Sequence, residues 1–517
     1  MPEGRFKSAK GGYPPERTLI LMKTDFKKLE ETLLKSAESY GESGATLMNH
    51  EGKTVLSICY GSTDKENGEK ITDKSHFLMP LDCSSVLTLC AFILMDMKKL
   101  RLNDKLSLYI PEFEHADKIT VRQLLAGKSG IRDFYFGEIL RNFDEDEEYN
   151  SLSEIERRKR DMQLYLKDYS FETVLEKLSG KELEHQPGVS GDYSCSERFF
   201  LREIVERVSG IFLEEFAKKY IFDKLGMGET KIGISSDALP LYTLFRNKEY
   251  LCFDTKNTDY RFFTTTVSDL EKLMLGIFEH RLFSERLWKI ATKTDDQNQG
   301  LGFSCVNGTP VMYFEFECFE TAWFCFDKEN EFCYMRVSNS ASKYVEEGDS
   351  NYLSFSKDFR RETEAIFTYP KNTRMVPYGE KNWRQATLLE ILPEQREFVS
   401  GALETIAYAS AHKNHKLFVE MEGERAVGLL DLSIDKKKGD YYIEIVLIDR
   451  RFQSRGFGKF MLRFAVDYLK KAGAKRLSIG VNRFNIPAQR LYKSVGFKED
   501  CVYEEGIFMT QNLVEEE

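Results

Sequence analysis

Tyr441-Tyr-Ile-Glu-Ile-Val-Leu-Ile448 runs into Asp449-Arg-Arg-Phe-Gln453-Ser-Arg-Gly456-Phe-Gly458, and a helical pattern opens at Lys459. The first eight residues are β-branched, aromatic or aliphatic around a single carboxylate, and they read as a strand. A strand that enters a helix through such a turn presents backbone N–H groups without intrahelical partners, at the positive end of the helix dipole. That arrangement suits a pyrophosphate. Gly456 and Gly458 carry no Cβ, so the backbone can approach a ligand closely. Arg451 and Arg455 add positive charge. The pattern G-x-G-x-x-G is absent, so the turn is not the dinucleotide fingerprint.

Around this segment strand and helix patterns alternate. Residues 388–391, 417–421, 426–432, 441–448 and 476–481 read as strands. Residues 393–411, 459–472 and 487–494 read as helices. Such alternation points to an α/β domain. The strand at 476–481 is followed by Asn482-Arg-Phe-Asn485-Ile-Pro-Ala488-Gln-Arg-Leu491-Tyr492-Lys-Ser-Val-Gly496-Phe497.

With both segments in view, the region 382–517 resembles the GNAT superfamily of N-acetyltransferases. Gln453, Gly456 and Gly458 match that family's Q/R-x-x-G-x-G/A loop. Asn485, Ala488, Leu491, Tyr492, Gly496 and Phe497 match its N-x-x-A-x-x-L-Y-x-x-x-G-F element. The resemblance implies a GNAT-fold α/β domain with a mixed sheet and acetyl-CoA as co-substrate. It places the cofactor against Gln453, Ser454, Arg455, Gly456, Phe457 and Gly458, and against Asn485 and Ala488. Backbone N–H groups near Leu447 and Ile448 would hold the thioester oxygen. It gives Tyr492 the task of protonating the departing thiolate.

The attacking amine must lose a proton, because a free ammonium titrates near pH 10.4. Glu444 lies mid-strand, on the face opposite Ile443 and Ile445. It can take that proton directly or through water, or it can be an ordinary solvent-facing carboxylate, and the residues alone leave both open. Glu420 and Glu422 are weaker candidates. The opening at 388–409 and the stretch 441–453 resemble bacterial spermine/spermidine acetyltransferases, which implies a polyamine acceptor. A protein amine, either a lysine or an N-terminus, remains open beside it.

Upstream, residues 26–367 resemble the serine β-lactamase and penicillin-binding-protein family, nearest to the class C enzymes. The scaffold signs are Phe77-Leu-Met, the run 98–111, Leu125-Ala-Gly-Lys-Ser129-Gly130, the runs 208–210 and 220–227, and Gly300-Leu-Gly-Phe303. The family's chemistry needs S-x-x-K at the start of its first long helix. Here Leu81 falls at the serine position and Ser84 at the lysine position. Y-x-N becomes Tyr193-Ser194-Cys195. The third element aligns with Tyr313-Phe-Glu315, which carries no basic residue. The expectation is an inactive β-lactamase-like domain. Cys83 and Ser84 are the possible relocated nucleophiles, and Tyr193, Tyr313, Phe314 and Phe316 would line a retained pocket.

The expected division is an extension at 1–25, the β-lactamase-like domain at 26–367, a linker at 368–381 rich in proline and polar residues, and the acetyltransferase domain at 382–517. A chain of 517 residues calls for two cores or more. The net charge of −10 argues against nucleic acid as a main partner. The longest apolar run, 86–95, is too short to span a bilayer. Ten cysteines lie without metal-ligand spacing, and no metal is expected. The first residues lack the apolar stretch of a secretory signal, and the expected location is cytoplasmic. A homo-oligomer is compatible with the sequence.

Overall fold

The computed structural model describes residues 26–341 and 372–513, apart from 65–67, 136–138, 140–146, 190–193, 246–248, 253–260, 296–298 and some shorter stretches. The described residues fall into two compact units, one within 25–359 and one within 360–517.

In the first unit, helix α1 (Phe26–Tyr40) precedes strands β1 (Gly44–His50) and β2 (Lys53–Tyr60). Strand β3 (Phe77–Pro80) leads into helix α2 (Ser84–Asp96). Helices α3 (Val121–Leu125) and α4 (Ser196–Ser209) follow, then strand β4 (Lys231–Ile232), strand β5 (Phe262–Thr265) and helix α5 (Val267–Phe278). Strands β6 (Ser304–Val306), β7 (Thr309–Phe316), β8 (Phe319–Asp327) and β9 (Phe332–Ser338) close the unit. The main sheet is antiparallel in the order β2-β1-β9-β8-β7-β6, and β3-β5-β4 form a small second sheet. Helix α2 is apolar all round and is buried from Ser85 to Met95, as expected of a helix in the middle of a large core. It is the apolar run noted in the sequence.

In the second unit, strand β10 (Thr373–Pro377), helices α6 (Trp383–Thr387) and α7 (Ala402–Ala411), and strands β11 (His415–Glu422), β12 (Arg425–Asp435) and β13 (Asp440–Ile448) come first. Helix α8 (Phe457–Lys471), strand β14 (Arg476–Asn482), helix α9 (Ile486–Lys493), and strands β15 (Lys498–Val502) and β16 (Gly506–Asn512) complete it. The sheet is mixed, in the order β10-β11-β12-β13-β14-β16-β15. Its parallel pair is β13–β14. One face packs on α8 and α9 through Leu430, Ile443, Met461 and Leu477. The other packs on α6 and α7 through Ala386, Ile406, Val419 and Leu447.

Three sequence readings need correction. Residues 388–391 do not form a strand. Glu390 donates its N–H to Asp449 Oδ2 at 3.0 Å and accepts the Arg450 N–H at 2.7 Å, so its polar groups are committed to the turn after β13 and not to a ladder. The helix read over 393–411 is a short 3₁₀ turn at 393–395 and a separate helix from Ala402. Gly401 starts the second one with extended backbone, and the Glu404 carboxylate accepts its N–H at 3.2 Å. The stretch read as a linker contains β10, which pairs antiparallel with β11 and forms the edge of the sheet. Strands β15 and β16 were not read from the sequence.

Candidate functional site

Strand β13 pairs with β14 only at Tyr442–Ser478 and Ile443–Ile479. Past these pairs the two strands part, and a fork opens in the sheet. The Asp449 N–H bonds Val427 O at 3.0 Å, which sets the phase of the β12–β13 ladder. Alternation then turns the N–H groups of Ile445 and Leu447 toward β12, and those of Val446 and Ile448 toward the fork. Of the two donors expected from the sequence, Ile448 faces the opening and Leu447 does not. Val446, which the sequence reading did not name, shares the orientation of Ile448.

The loop from Asp449 to Gly456 is held from beneath. Asp449 is fully buried and accepts the Arg451 guanidinium twice, at 2.6 Å each, along with the Arg451 and Glu390 N–H groups at 3.0 Å. Arg451 therefore fixes the loop. Gln453 donates from Nε2 to Ile448 O at 2.9 Å and exchanges amide bonds with Gln395 at 2.8 and 3.1 Å. Ser454 and Gly456 have φ of 61° and 101°. Helix α8 starts directly after Gly456, with Phe457 buried against Phe452. At Gly458 a Cβ would stand 2.9 Å from Leu491 Cδ2. That glycine admits α9 against α8 as well as lying on the loop. Asn485 caps α9, its Oδ1 accepting the Ala488 N–H at 3.2 Å.

Tyr492 lies on α9, buried at 8% exposure. Burial pushes its hydroxyl well above the usual range, with Tyr442 adding to the effect. Tyr442 in turn is pushed up to about 12 by burial, then by Glu444 and Tyr503. Tyr442, at the point where the strands part, is thus the shared neighbour of the two expected catalytic residues. Gly480 makes room for it, since a Cβ there would lie 2.5 Å from Tyr442 Oη. Glu444 is the extra residue of a bulge, because Asp431 pairs with Ile445 and Leu432 with Ile443. The residue is exposed; partial burial of its carboxyl raises it above the ordinary value, against the charge of His415. Glu420 faces the α8 side, fully buried, and both its oxygens lack a hydrogen-bond partner. Burial pushes it up to about 9. Glu422 is tied to β10 by the Asn372 N–H and the Thr373 hydroxyl.

The first unit has its own cleft of about 460 Å³ at the start of α2, lined by Asp82, Ser84, Ser85, Lys128, Glu197 and Tyr313 among others. Leu81 is fully buried and bonds Arg261 O through its N–H at 2.9 Å. Ser85 donates its hydroxyl to Tyr313 O across the cleft. Burial pushes the Cys83 thiol up to about 12. Burial opposes ionisation of Asp82, but Arg198, Arg202 and Arg261 outweigh it and hold its carboxyl below the ordinary value. Glu197 is pushed up to about 8 by burial although Ser129 donates both its N–H and its hydroxyl to it. Cys195 is buried at the start of α4, and Phe314 belongs to the core. Tyr193 and the side chains of Glu315 and Phe316 lie outside the described residues.

Comparison with known proteins agrees with this division. The beta-lactamase family model matches residues 26–356, more than half of the chain, and the acetyltransferase (GNAT) family model matches 380–497. The first part is similar to a Bacillus subtilis protein that carries the name penicillin-binding protein PbpX, 22% identical over 59% of this chain and 77% of that one. The second part is similar to the spermine/spermidine N(1)-acetyltransferase of Bacillus subtilis, 35% identical over 12% of this chain and 43% of that one. It is also similar to the [ribosomal protein bS18]-alanine N-acetyltransferase of Salmonella typhimurium, 30% identical over 17% of this chain and 66% of that one. The chain thus spans 43% and 66% of the acetyltransferases it matches. The chain belongs to the beta-lactamase family and carries behind that domain a domain of the GNAT acetyltransferase family, whose co-substrate is acetyl-CoA.

Proposed function

We propose that this chain transfers the acetyl group of acetyl-CoA to a primary amine, and that the amine belongs to a small aliphatic cation such as a polyamine. The fork between β13 and β14 carries the reading. The Val446 and Ile448 amides face it, and the start of α8 lies at its mouth. The residues fit the cofactor: Gly456 and Gly458 leave the Gln453–Gly458 loop bare of side-chain bulk at its end, and the free N–H groups of α8 suit a pyrophosphate. When bound, acetyl-CoA supplies the acyl group and a thiolate leaving group.

Glu444 takes a proton from the ammonium, the freed amine attacks the acetyl carbon, and the amides facing the fork stabilise the oxyanion. Tyr492 stays protonated at any working pH, because burial raises it, and it hands its proton to the departing sulfur. On the α7 face, Tyr442 stands beside Phe508, Phe508 beside Tyr503, and the charge of Glu444 acts on Tyr442. Ring centroids are 6.0 Å apart for Tyr442–Phe508 and 5.6 Å for Tyr503–Phe508. Tyr503 and Phe508 are 47% and 37% exposed. A carboxylate among exposed rings suits an alkylammonium ion by charge and cation–π attraction. This favours a polyamine over a neutral peptide stretch.

The first domain binds without hydrolysing, in this reading, and its cleft receives a ligand noncovalently. Leu81 offers no nucleophile, and Cys83 is held as a thiol. We place this domain at 26–367 and the transferase at 382–517, joined by β10 from the stretch before it as the edge strand, and the whole in the cytoplasm, where acetyl-CoA is made. The test is release of CoA thiol from acetyl-CoA with spermidine, an aminoglycoside and an alanine-initiated peptide as acceptors. Turnover fastest with spermidine is expected. Turnover on the peptide alone would replace the polyamine by a protein amine.

A further inference from the structure

On the α7 side of the transferase sheet, helices cover only half of the width. Val419, Leu429 and Leu447, from β11, β12 and β13, meet α6 and α7. Among the described residues, no side chain of β14, β15 or β16 joins that cluster. These strands send Leu477, Ile479, Ile507 and Met509 to the α8 side instead. Their other face is left to three rings: Tyr442 where the fork begins, Phe508 on β16, and Tyr503 in the turn between β15 and β16.

The three rings touch in series. Tyr442 and Phe508 stand 6.0 Å apart with planes at 59°, and Phe508 and Tyr503 5.6 Å apart at 48°. Glycines make the floor beneath them. A Cβ on Gly480, the register partner of Phe508, would stand 2.5 Å from Tyr442 Oη. A Cβ on Gly506 would collide with Tyr503 Oη and stand 2.5 Å from its Cζ. Glycine in a strand commonly marks such a close approach. Covering glycines accounts for where the two phenols lie. It leaves Phe508 and Tyr503 exposed to water, so the rings form an open trough.

A carboxylate stands at each end of this trough. Glu444 follows Tyr442 by two positions on β13, at the fork, and Glu504 follows Tyr503 in the turn. Both are exposed. Arg476, on the same face of β14, is taken by Asp500 at 2.7 Å and by the Thr510 hydroxyl at 3.3 Å. The run is therefore acid, aromatic, acid. That order complements an aliphatic chain with a cation at each end, its methylenes and far ammonium lying over the rings.

We propose that Tyr442, Phe508, Tyr503 and Glu504 hold the far end of the acceptor and so select its length. This rests on the amine-acetylation reading above. The reacting nitrogen lies at the fork beside Glu444, and a second ammonium lies over Phe508 and Tyr503. Strand β16 is two strands away from β13, about 10 Å at the usual spacing. Extended spermidine spans about 11 Å between its end nitrogens, at about 1.2 Å per bond, and putrescine about 6 Å. The trough therefore suits a triamine and outreaches the shorter diamine. Tyr503 and Phe508 act in this way as specificity-determining residues and take no part in the chemistry.

The test measures kcat/KM of the full chain with acetyl-CoA and three acceptors: spermidine, putrescine and butylamine. Acetyl-CoA binding by titration checks the folding of each variant. The wild-type chain should prefer spermidine to either shorter amine by at least about fivefold. In Tyr503→Leu and in Phe508→Leu the ratio of spermidine to butylamine should fall about two- to fivefold, the size of a cation–π pair at an exposed site, and the loss should appear in KM. The double variant should lose about tenfold, and Tyr503→Phe, which keeps the ring, should retain most of the ratio. Glu504→Gln, in an exposed turn, should lower the same ratio and serves where the double variant fails to bind acetyl-CoA. Equal kcat/KM for all three amines in the wild type, or an unmoved ratio in the folded double variant, would overturn the trough and leave amine acetylation standing. A wild-type chain that binds acetyl-CoA and acetylates none of the amines would instead overturn the underlying reading.

Discussion

Gln395 and Gln453 exchange both of their amide hydrogen bonds, Nε2 to Oε1 at 3.1 Å in one direction and 2.8 Å in the other. Gln395 also accepts the Leu392 N–H at 3.0 Å, and Gln453 also donates to Ile448 O at 2.9 Å. The pair therefore ties the segment before α7 to the cofactor loop and to the end of β13. Replacing Gln395 by leucine leaves Gln453 without half of its partners. Each lost bond is worth about 0.5–1.5 kcal/mol, so acetyl-CoA affinity should fall on the order of tenfold. Titration calorimetry checks it, and unchanged affinity would show that the loop holds its shape unaided.

The two glycines of the loop should respond differently. Gly456 has φ of 101°, a conformation that costs L-residues about 1–2 kcal/mol, so Gly456→Ala should weaken acetyl-CoA binding even where the fold survives. Gly458→Ala presses on the movable end of Leu491 and should be mild. Gly458→Val overpacks the α8–α9 contact and should cost about 1–3 kcal/mol of stability. Thermal melting beside calorimetry separates the two effects.

Tyr492→Phe keeps the ring in its buried place and removes the proton donor. The expected result is a kcat lower by about 10²–10⁴ with acetyl-CoA affinity nearly intact. Undiminished kcat under conditions where chemistry limits the rate would give the proton to another donor.

Glu420 is a buried carboxyl with no hydrogen-bond partner, pushed from its ordinary 4.5 up to about 9. In the native chain it stays protonated between those values while the unfolded chain ionises. The unfolded state then binds fewer protons, so this residue's contribution to stability falls as pH rises from about 4.5 to about 9. Glu420→Met, of similar volume, removes that loss. The variant should gain little at pH 5 and about 4 kcal/mol more at pH 8, at about 1.36 kcal/mol per pH unit. Hydrogen exchange on β11 peptides at the two pH values reads it, and an equal gain at both would refute the ionisation argument.

A fluorescent penicillin should leave no covalent adduct on the first domain by intact-mass analysis. Leu81 is buried and apolar, Cys83 is a thiol far above neutral pH, and Ser85 spends its hydroxyl on Tyr313 O. A stoichiometric adduct mapped to Ser84 or Ser85 would establish a relocated nucleophile. Saturable binding without an adduct would mark the cleft as a receptor.

The sequence by itself determined both families and the order of the two domains, and it names the strand–turn–helix segment proposed to hold the cofactor. These are local matters: a strand, a turn with two glycines and a helix start are written in residues next to one another. The residue pattern also carried Tyr492 and Glu444 as candidates. Tertiary structure decided the rest, because it depends on which strands pair and where they stop. The fork exists because β14 leaves β13 after Ile443, and that parting, with the ladder phase, turns Val446 and Ile448 toward the opening and Leu447 away. Residues 388–391 are apolar enough for a strand, yet their polar groups meet Asp449 and Arg450 first. His415 and Asp431 stand sixteen positions apart and meet because β11 and β12 pair; Glu444 stands in a bulge of β13 that no periodicity announces. Contacts set by pairing and bulges lie outside what spacing along the chain can express.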